Sequence, residues 1–206
     1  MKAKFSNVEK SFFSKSHLNK PKTKIPFIQV DNIPDLGLLT SLRFLEWTLE
    51  NPQGVISLPT GKTPEYFIKW TQYILSNWNK PEIEKICKDN GLNTSKKPDL
   101  SHLKFVQIDE FYPINPLQHN SFYYFVETFY IEGFGLNPKN SLLINSYKIP
   151  DLKDVAIENI FPNYKIDLSL RYRDTNSDIE EKQKQTIFSI DQWCSEYENK
   201  IADLGG

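Results

Sequence analysis

Three short stretches of this sequence hold residue types that do chemistry. Thr60, Gly61, Lys62 and Thr63 lie within GVISLPTGKTP (54–64), between an apolar run and an aromatic-rich helical pattern that starts at Glu65. Two hydroxyls, an ammonium and the backbone N–H groups of such a turn, with the positive end of the following helix dipole, favour a bound phosphate. Asp109 and Glu110 close a second apolar run, LKFVQIDEFY (103–112). A carboxylate partly withdrawn from water at a strand end serves as general acid or base. Adjacent strand residues point to opposite faces, so one of the pair faces a pocket, Asp109 if the turn begins directly after it. His119, in a Pro- and Asn-rich loop beyond the same strand, is a candidate substrate contact; His17 and His102 have no supporting context. Each stretch has a plain alternative: a Thr-capped strand-to-helix turn, a pair of solvated or helix-capping acids, and an exposed loop histidine.

Gly61-Lys62-Thr63 matches the end of a nucleotide-binding P-loop, and LKFVQIDE resembles the strand and acids that hold its magnesium. The P-loop pattern needs a glycine at position 56, where Ile56 stands, and Pro64 follows the threonine directly. Without that first glycine the loop cannot wrap its N–H groups around a β-phosphate. Nucleotide hydrolysis is therefore set aside.

The elements that must position these residues are legible from pattern. Leu38, Leu42, Leu45 and Leu49 predict a helix from Asp35 that stops at Asn51 and Pro52. Gly54 to Leu58 reads as a strand covered on both faces. Thr63 as N-cap and Pro64 as first helical position predict a helix to about Trp78, with Phe67, Trp70 and Ile74 on one face. A short helix is expected around 82–88, a second strand over 103–108, and a helix after Asn120 or Ser121 that buries Phe122, Phe125, Val126 and Phe129. Ser141 to Asn145 reads as a third strand. Ile187, Ile190, Cys194, Tyr197 and Ile201 predict an amphipathic helix from Asp178 that closes on Leu204, Gly205 and Gly206. Residues 27–30 are read as a short strand or a lead-in. The expected fold class is α/β, a Rossmann-like parallel sheet with helices on both faces, as an incomplete three-layer α/β/α domain. Residues 1–206 are expected to form one such domain, with 1–26 a loosely packed polar extension and 146–177 an insertion or irregular segment.

Bulk numbers exclude several classes. The 206 residues are 39% hydrophobic and 14% aromatic, too apolar for a disordered chain. With 25 basic and 26 acidic residues the net charge is -1, which gives no electrostatic reason to expect nucleic acid or an anionic membrane as partner. No run approaches the ~18 apolar residues of a membrane span. Cys87 and Cys194 make no metal-ligand spacing and read as reduced thiols of a cytoplasmic protein.

The stretches LPTGKTP, FVQIDEFYPINPLQHNSFYYFV and GLNPKNSLLIN together resemble the glucosamine-6-phosphate deaminase/isomerase family, over about residues 36–145. The related 6-phosphogluconolactonases show a similar layout with SGG(S/T)P and DER in place of these motifs. The resemblance implies that Thr60, Gly61, Lys62 and Thr63 bind a sugar phosphate, and that Asp109, with Glu110 beside it, moves hydrogen between C1 and C2 of the opened sugar. It implies no metal and no organic cofactor, a small-molecule sugar phosphate as partner, and an amino-sugar isomerisation that releases ammonia. The family's later segment, which supplies an acid, a ring-opening histidine and a glutamate, has no counterpart here. The chain therefore reads as the amino-terminal part of a larger enzyme, inactive alone. A lactone hydrolase of the same superfamily, or a non-catalytic sugar-phosphate-binding module, stays open, as does self-association into a homo-oligomer.

Overall fold

The computed structural model describes residues 5–16, 24, 27–149, 152, 157–162 and 165–204. His17, Gly205 and Gly206 lie outside them. The described elements run in the order α1 (Asn7–Lys15), α2 (Ile33–Glu50), β1 (Val55–Ile56), α3 (Glu65–Ser76), α4 (Pro81–Asp89), β2 (Lys104–Val106), α5 (Phe122–Val126), β3 (Ser141–Leu142), α6 (Ile157–Ile160) and α7 (Asp178–Asp203). The three strands form one sheet in the order β1-β2-β3, and β1 and β2 pair in parallel with Val55 opposite Lys104 and Ile56 opposite Phe105. The class is α/β, as the alternation of strand and helix patterns implies. Residues 27–30 form no strand.

By Cα proximity the chain divides into two compact units. The first comprises Met1–Phe105 with Val126–Ser141, and the second Val106–Phe125 with Leu142–Gly206.

In the first unit, α2 and α3 pack closely because small residues face the crossing. A Cβ on Gly37 would stand 2.4 Å from the Cβ of Tyr66, and Thr71 Oγ1 lies 2.9 Å from Ser41 Oγ in the buried seam. Asn32 caps α2, accepting from the Asp35 N–H at 2.8 Å, so the helix starts at Ile33, two residues before the expected start at Asp35. Phe44, Phe67 and Phe134 pack as a ring cluster with centroids 5.6–5.9 Å apart. Residues 7–15 are not the loose extension that their polarity suggested. Ser6 and Glu9 make a reciprocal capping box, Val8 and Phe12 are buried one turn apart, and Glu46 of α2 accepts from the Asn7 and Val8 N–H groups at 3.1 and 3.3 Å.

The strand β1 is shorter than expected, and it is covered on one side only: Ile56 is buried while Val55 is 42% exposed. Gly54 just before it lets Trp47 approach, since a Cβ there would meet the indole at 2.3 Å.

The second unit is organised around Gln107 and Tyr197. The Gln107 N–H donates to the Leu142 carbonyl of β3 at 2.9 Å. The buried Gln107 amide also donates to the Asp109 carbonyl and accepts from the Ile144 N–H, both at 2.9 Å. The Tyr197 hydroxyl of α7 sits 2.8 Å from the carbonyl oxygens of both Gln107 and Leu142. Burial pushes its phenol up to about 12, so it stays a donor. Ser177 caps α7. The described part of 146–177 packs on this helix: Phe161, Leu170 and Ile187 form a buried cluster, and Arg171 makes two bonds of 2.7 and 2.6 Å to the Asp191 carboxylate.

Candidate functional site

The turn after β1 belongs to the first unit. Gly61 has φ +89°, a left-handed conformation that favours glycine, and nothing lies within 4 Å of where a Cβ would be. It is the backbone angle, not space, that selects glycine here. Among the described residues, none accepts a hydrogen bond from the N–H of Thr60, Gly61, Lys62 or Thr63. Gly61, Lys62 and Thr63 are exposed and Thr60 is half-buried. The N–H of Glu65 donates to the Lys62 carbonyl at 3.2 Å, which closes the turn.

Thr63 does not cap α3, contrary to what its place in the sequence predicts. Pro64 itself occupies the N-cap position with φ -80° and ψ 6°, and no side chain caps the helix. The Lys62–Glu65 turn leaves Pro64 short of helical ψ, so α3 begins one residue later and Thr63 is free to face outward. Glu65 pairs with Lys69 one helical turn on, and the bond from Lys69 holds its carboxyl below the usual range. That pairing offsets the one acid of the first turn. Lys62 and the helix dipole are left as the positive field of the turn.

A groove of about 740 Å³ in the first unit runs beside the turn, and of the four turn residues only Thr63 lines it. Leu58, Pro59, Thr63 and Pro64 form one edge, and Leu36, Trp47, Tyr66 and Phe67 form its apolar wall.

The acids after β2 belong to the second unit. The two are not equivalent. Glu110 is the cap of α5: its Oε1 accepts from the N–H groups of Phe111 (2.9 Å) and Phe122 (3.1 Å), and its Oε2 accepts from Ser121 Oγ (2.6 Å) and the Tyr123 N–H (2.8 Å). Ser121, fully buried, adds its own bond from the Tyr124 N–H at 3.3 Å. Asp109 is exposed, and among the described residues none hydrogen-bonds its carboxylate. Its backbone is fixed instead, through the Gln107 amide.

Both acids line a cavity of about 340 Å³ in this unit. The other walls come from Ile144, Ser146 and the α7 residues Ile190, Trp193, Cys194 and Tyr197. Trp193 stacks on Tyr197 with ring centroids 5.4 Å apart. His119 is exposed and is not among the residues of that cavity. His102, also exposed, lies 3.6 Å from Asp99. Both cysteines are free; burial pushes the Cys87 thiol up to about 11, while Cys194 is exposed.

No family model matches this chain. No curated protein matches it either. Among solved structures, a monomeric glucosamine-6-phosphate deaminase of the NagB superfamily is similar to it, with 16% sequence identity and a TM-score of 0.46. The similarity covers 60% of this chain and 44% of that one, so it spans less than half the length of that enzyme. Among the described residues no helix is long and apolar enough to cross a membrane.

The sequence reading missed three side chains that shape these two places. Gln107 holds the Asp109 carbonyl and Tyr130 the Pro59 carbonyl, neither from a recognisable motif, while Tyr197, expected only as part of an amphipathic face, holds the carbonyl of Gln107.

Proposed function

We propose that this chain binds a sugar phosphate through Thr60, Gly61, Lys62 and Thr63, and that it contributes to an aldose–ketose isomerisation of an amino-sugar phosphate. The observation that carries this reading is the turn itself: successive N–H groups with no acceptor among the described residues, at the N-terminus of a twelve-residue helix, next to a lysine. The motif resemblance names the substrate as glucosamine 6-phosphate and the products as fructose 6-phosphate and ammonia.

In this reading Asp109 is the base. Its carboxylate takes the C2 proton of the open-chain sugar, giving an enolamine, and returns a proton to C1. The resulting C2 imine adds water and loses ammonia, leaving the ketone. A base of this kind acts by position as much as by basicity. The Gln107 and Glu110 bonds, which fix the backbone on either side of Asp109, serve that positioning. Glu110 itself, with both oxygens engaged in capping, acts on structure. His119 is a candidate substrate contact from the adjoining loop.

Binding and chemistry are tested separately. Calorimetric titration of the chain with glucosamine 6-phosphate should show saturable binding, with inorganic phosphate competing; no binding at millimolar ligand refutes the reading of the turn. In an activity assay on the protein, release of ammonia with fructose 6-phosphate supports the deaminase, and hydrolysis of 6-phosphogluconolactone without ammonia overturns it. Asp109→Asn should abolish C2 proton exchange into deuterated solvent while phosphate affinity stays within about twofold, since only the transferable proton is lost. Retained exchange removes Asp109 from the role of base.

A further inference from the structure

The Tyr130 hydroxyl donates to the carbonyl of Pro59, the residue directly before the turn and 71 positions away in the chain. Tyr130 is fully buried, its ring packed against Phe105 at 5.9 Å and Phe134 at 5.3 Å between centroids. It stands in a π-helical segment, Glu127–Glu132, that continues α5. The i→i+5 bonding of such a segment widens the turn, and segments of this kind recur at functional sites. Val126, Tyr130 and Phe134, each four residues apart, share the buried face.

The widened turn is fastened in place. Gln72 of α3 donates from Nε2 to the Phe129 carbonyl at 3.2 Å. Gly133 makes room for it, because a Cβ there would lie 2.2 Å from that nitrogen. Burial raises the Tyr130 phenol above its ordinary value, so the hydroxyl keeps its proton as a donor throughout the neutral range.

What the bond does follows from peptide geometry. The C=O and N–H of a trans peptide point in opposite directions. With the Pro59 carbonyl drawn toward Tyr130, the N–H of Thr60 is turned away from the core. We infer that Tyr130 is a positioning residue for anion recognition: its hydroxyl fixes the Pro59–Thr60 peptide so that the Thr60 N–H is already aimed at a phosphate before one binds. This inference rests on the proposed reading of the turn. Pre-set donors bind more tightly because their ordering is not charged against the ligand.

The experiment is a titration of the full chain with inorganic phosphate and with glucosamine 6-phosphate, read by calorimetry and by backbone amide NMR. The variants are Tyr130→Phe, which removes only the hydroxyl, and Phe134→Leu, which loosens the same cluster without touching Pro59. Tyr130→Phe should weaken both ligands equally, by about tenfold, the effect of one hydrogen bond. Its Thr60 amide should exchange faster in the free protein. Phe134→Leu should lower the melting temperature and leave phosphate affinity within about twofold, as expected for packing alone. If the unsubstituted chain binds neither ligand, the reading of the turn fails. If it binds and Tyr130→Phe binds as well, or Phe134→Leu loses as much, the positioning role is overturned and the phosphate site stands.

Discussion

Substituting Glu110 separates a structural carboxylate from a catalytic one. Glu110→Gln keeps the length and the cavity-lining position but exchanges one acceptor oxygen for an NH₂ group, which cannot accept from backbone donors. The side chain now accepts from four groups, three of them backbone N–H at residues 111, 122 and 123. A lost N-cap costs about 0.5–2 kcal/mol, and a buried bond to a charged acceptor is worth about 1.5–3 kcal/mol net. The first turn of α5 is half-buried, so water replaces part of the loss and about 2 kcal/mol is the expected destabilisation. For a chain of this size that is a fall in melting temperature of about 4–8 °C. Thermal unfolding followed by circular dichroism reads it, and hydrogen exchange at Phe122 and Tyr123 localises it. A melting temperature within 1 °C of the parent would refute the capping assignment. Loss of turnover with no loss of stability would return Glu110 to the chemistry.

Two further outcomes follow from the packing and the charges. Gly37→Val should lower the melting temperature by several degrees, because a Cβ already stands 2.4 Å from that of Tyr66 and α3 must shift, at a cost of about 1–3 kcal/mol; because α3 begins at the turn, phosphate affinity should fall with it, and an unchanged affinity would uncouple the α2–α3 seam from the turn. Arg173 bonds to Glu180 and Asp167, whose carboxyls are both lowered to about 2, Glu180 by the Arg173 bond first and Asp167 by the Ser169 hydroxyl and then Arg173. Both folded values lie below the ordinary ones of 4.5 and 3.8, so this stabilisation is complete above about pH 4.5 and is lost as pH falls toward 2. Amide exchange in the first turn of α7 should therefore accelerate across that window, and Arg173→Leu should flatten the dependence.

What could be read in advance was whatever short-range chemistry controls. The helices α2, α4 and α7 announce themselves through periodic apolar residues and flanking breakers, and the residues of the turn and of the Asp109–Glu110 pair through local composition. Even within that range a strong signal hid another: the polarity of 1–26 masked the Ser6–Glu9 capping box and the Val8–Phe12 pair, which were sufficient to predict α1. The helix after Ser121 shows a different limit. Its apolar residues fit a regular period through Phe122, Phe125, Val126 and Phe129, yet the π-helical segment brings Tyr130, Ile131 and Phe134 to the core and leaves Phe129 37% exposed. Nothing local encodes that shift, because what fastens it is Gln72, 57 residues earlier. Tyr197 reaches Gln107 across 90 residues in the same way. The groups that could act on a ligand are thus encoded locally, whereas the groups that hold them in place are chosen by the packed fold. Tyr130 belongs to the second kind: its hydroxyl is part of no motif, and only the packed fold brings it to the Pro59 carbonyl, 71 positions away.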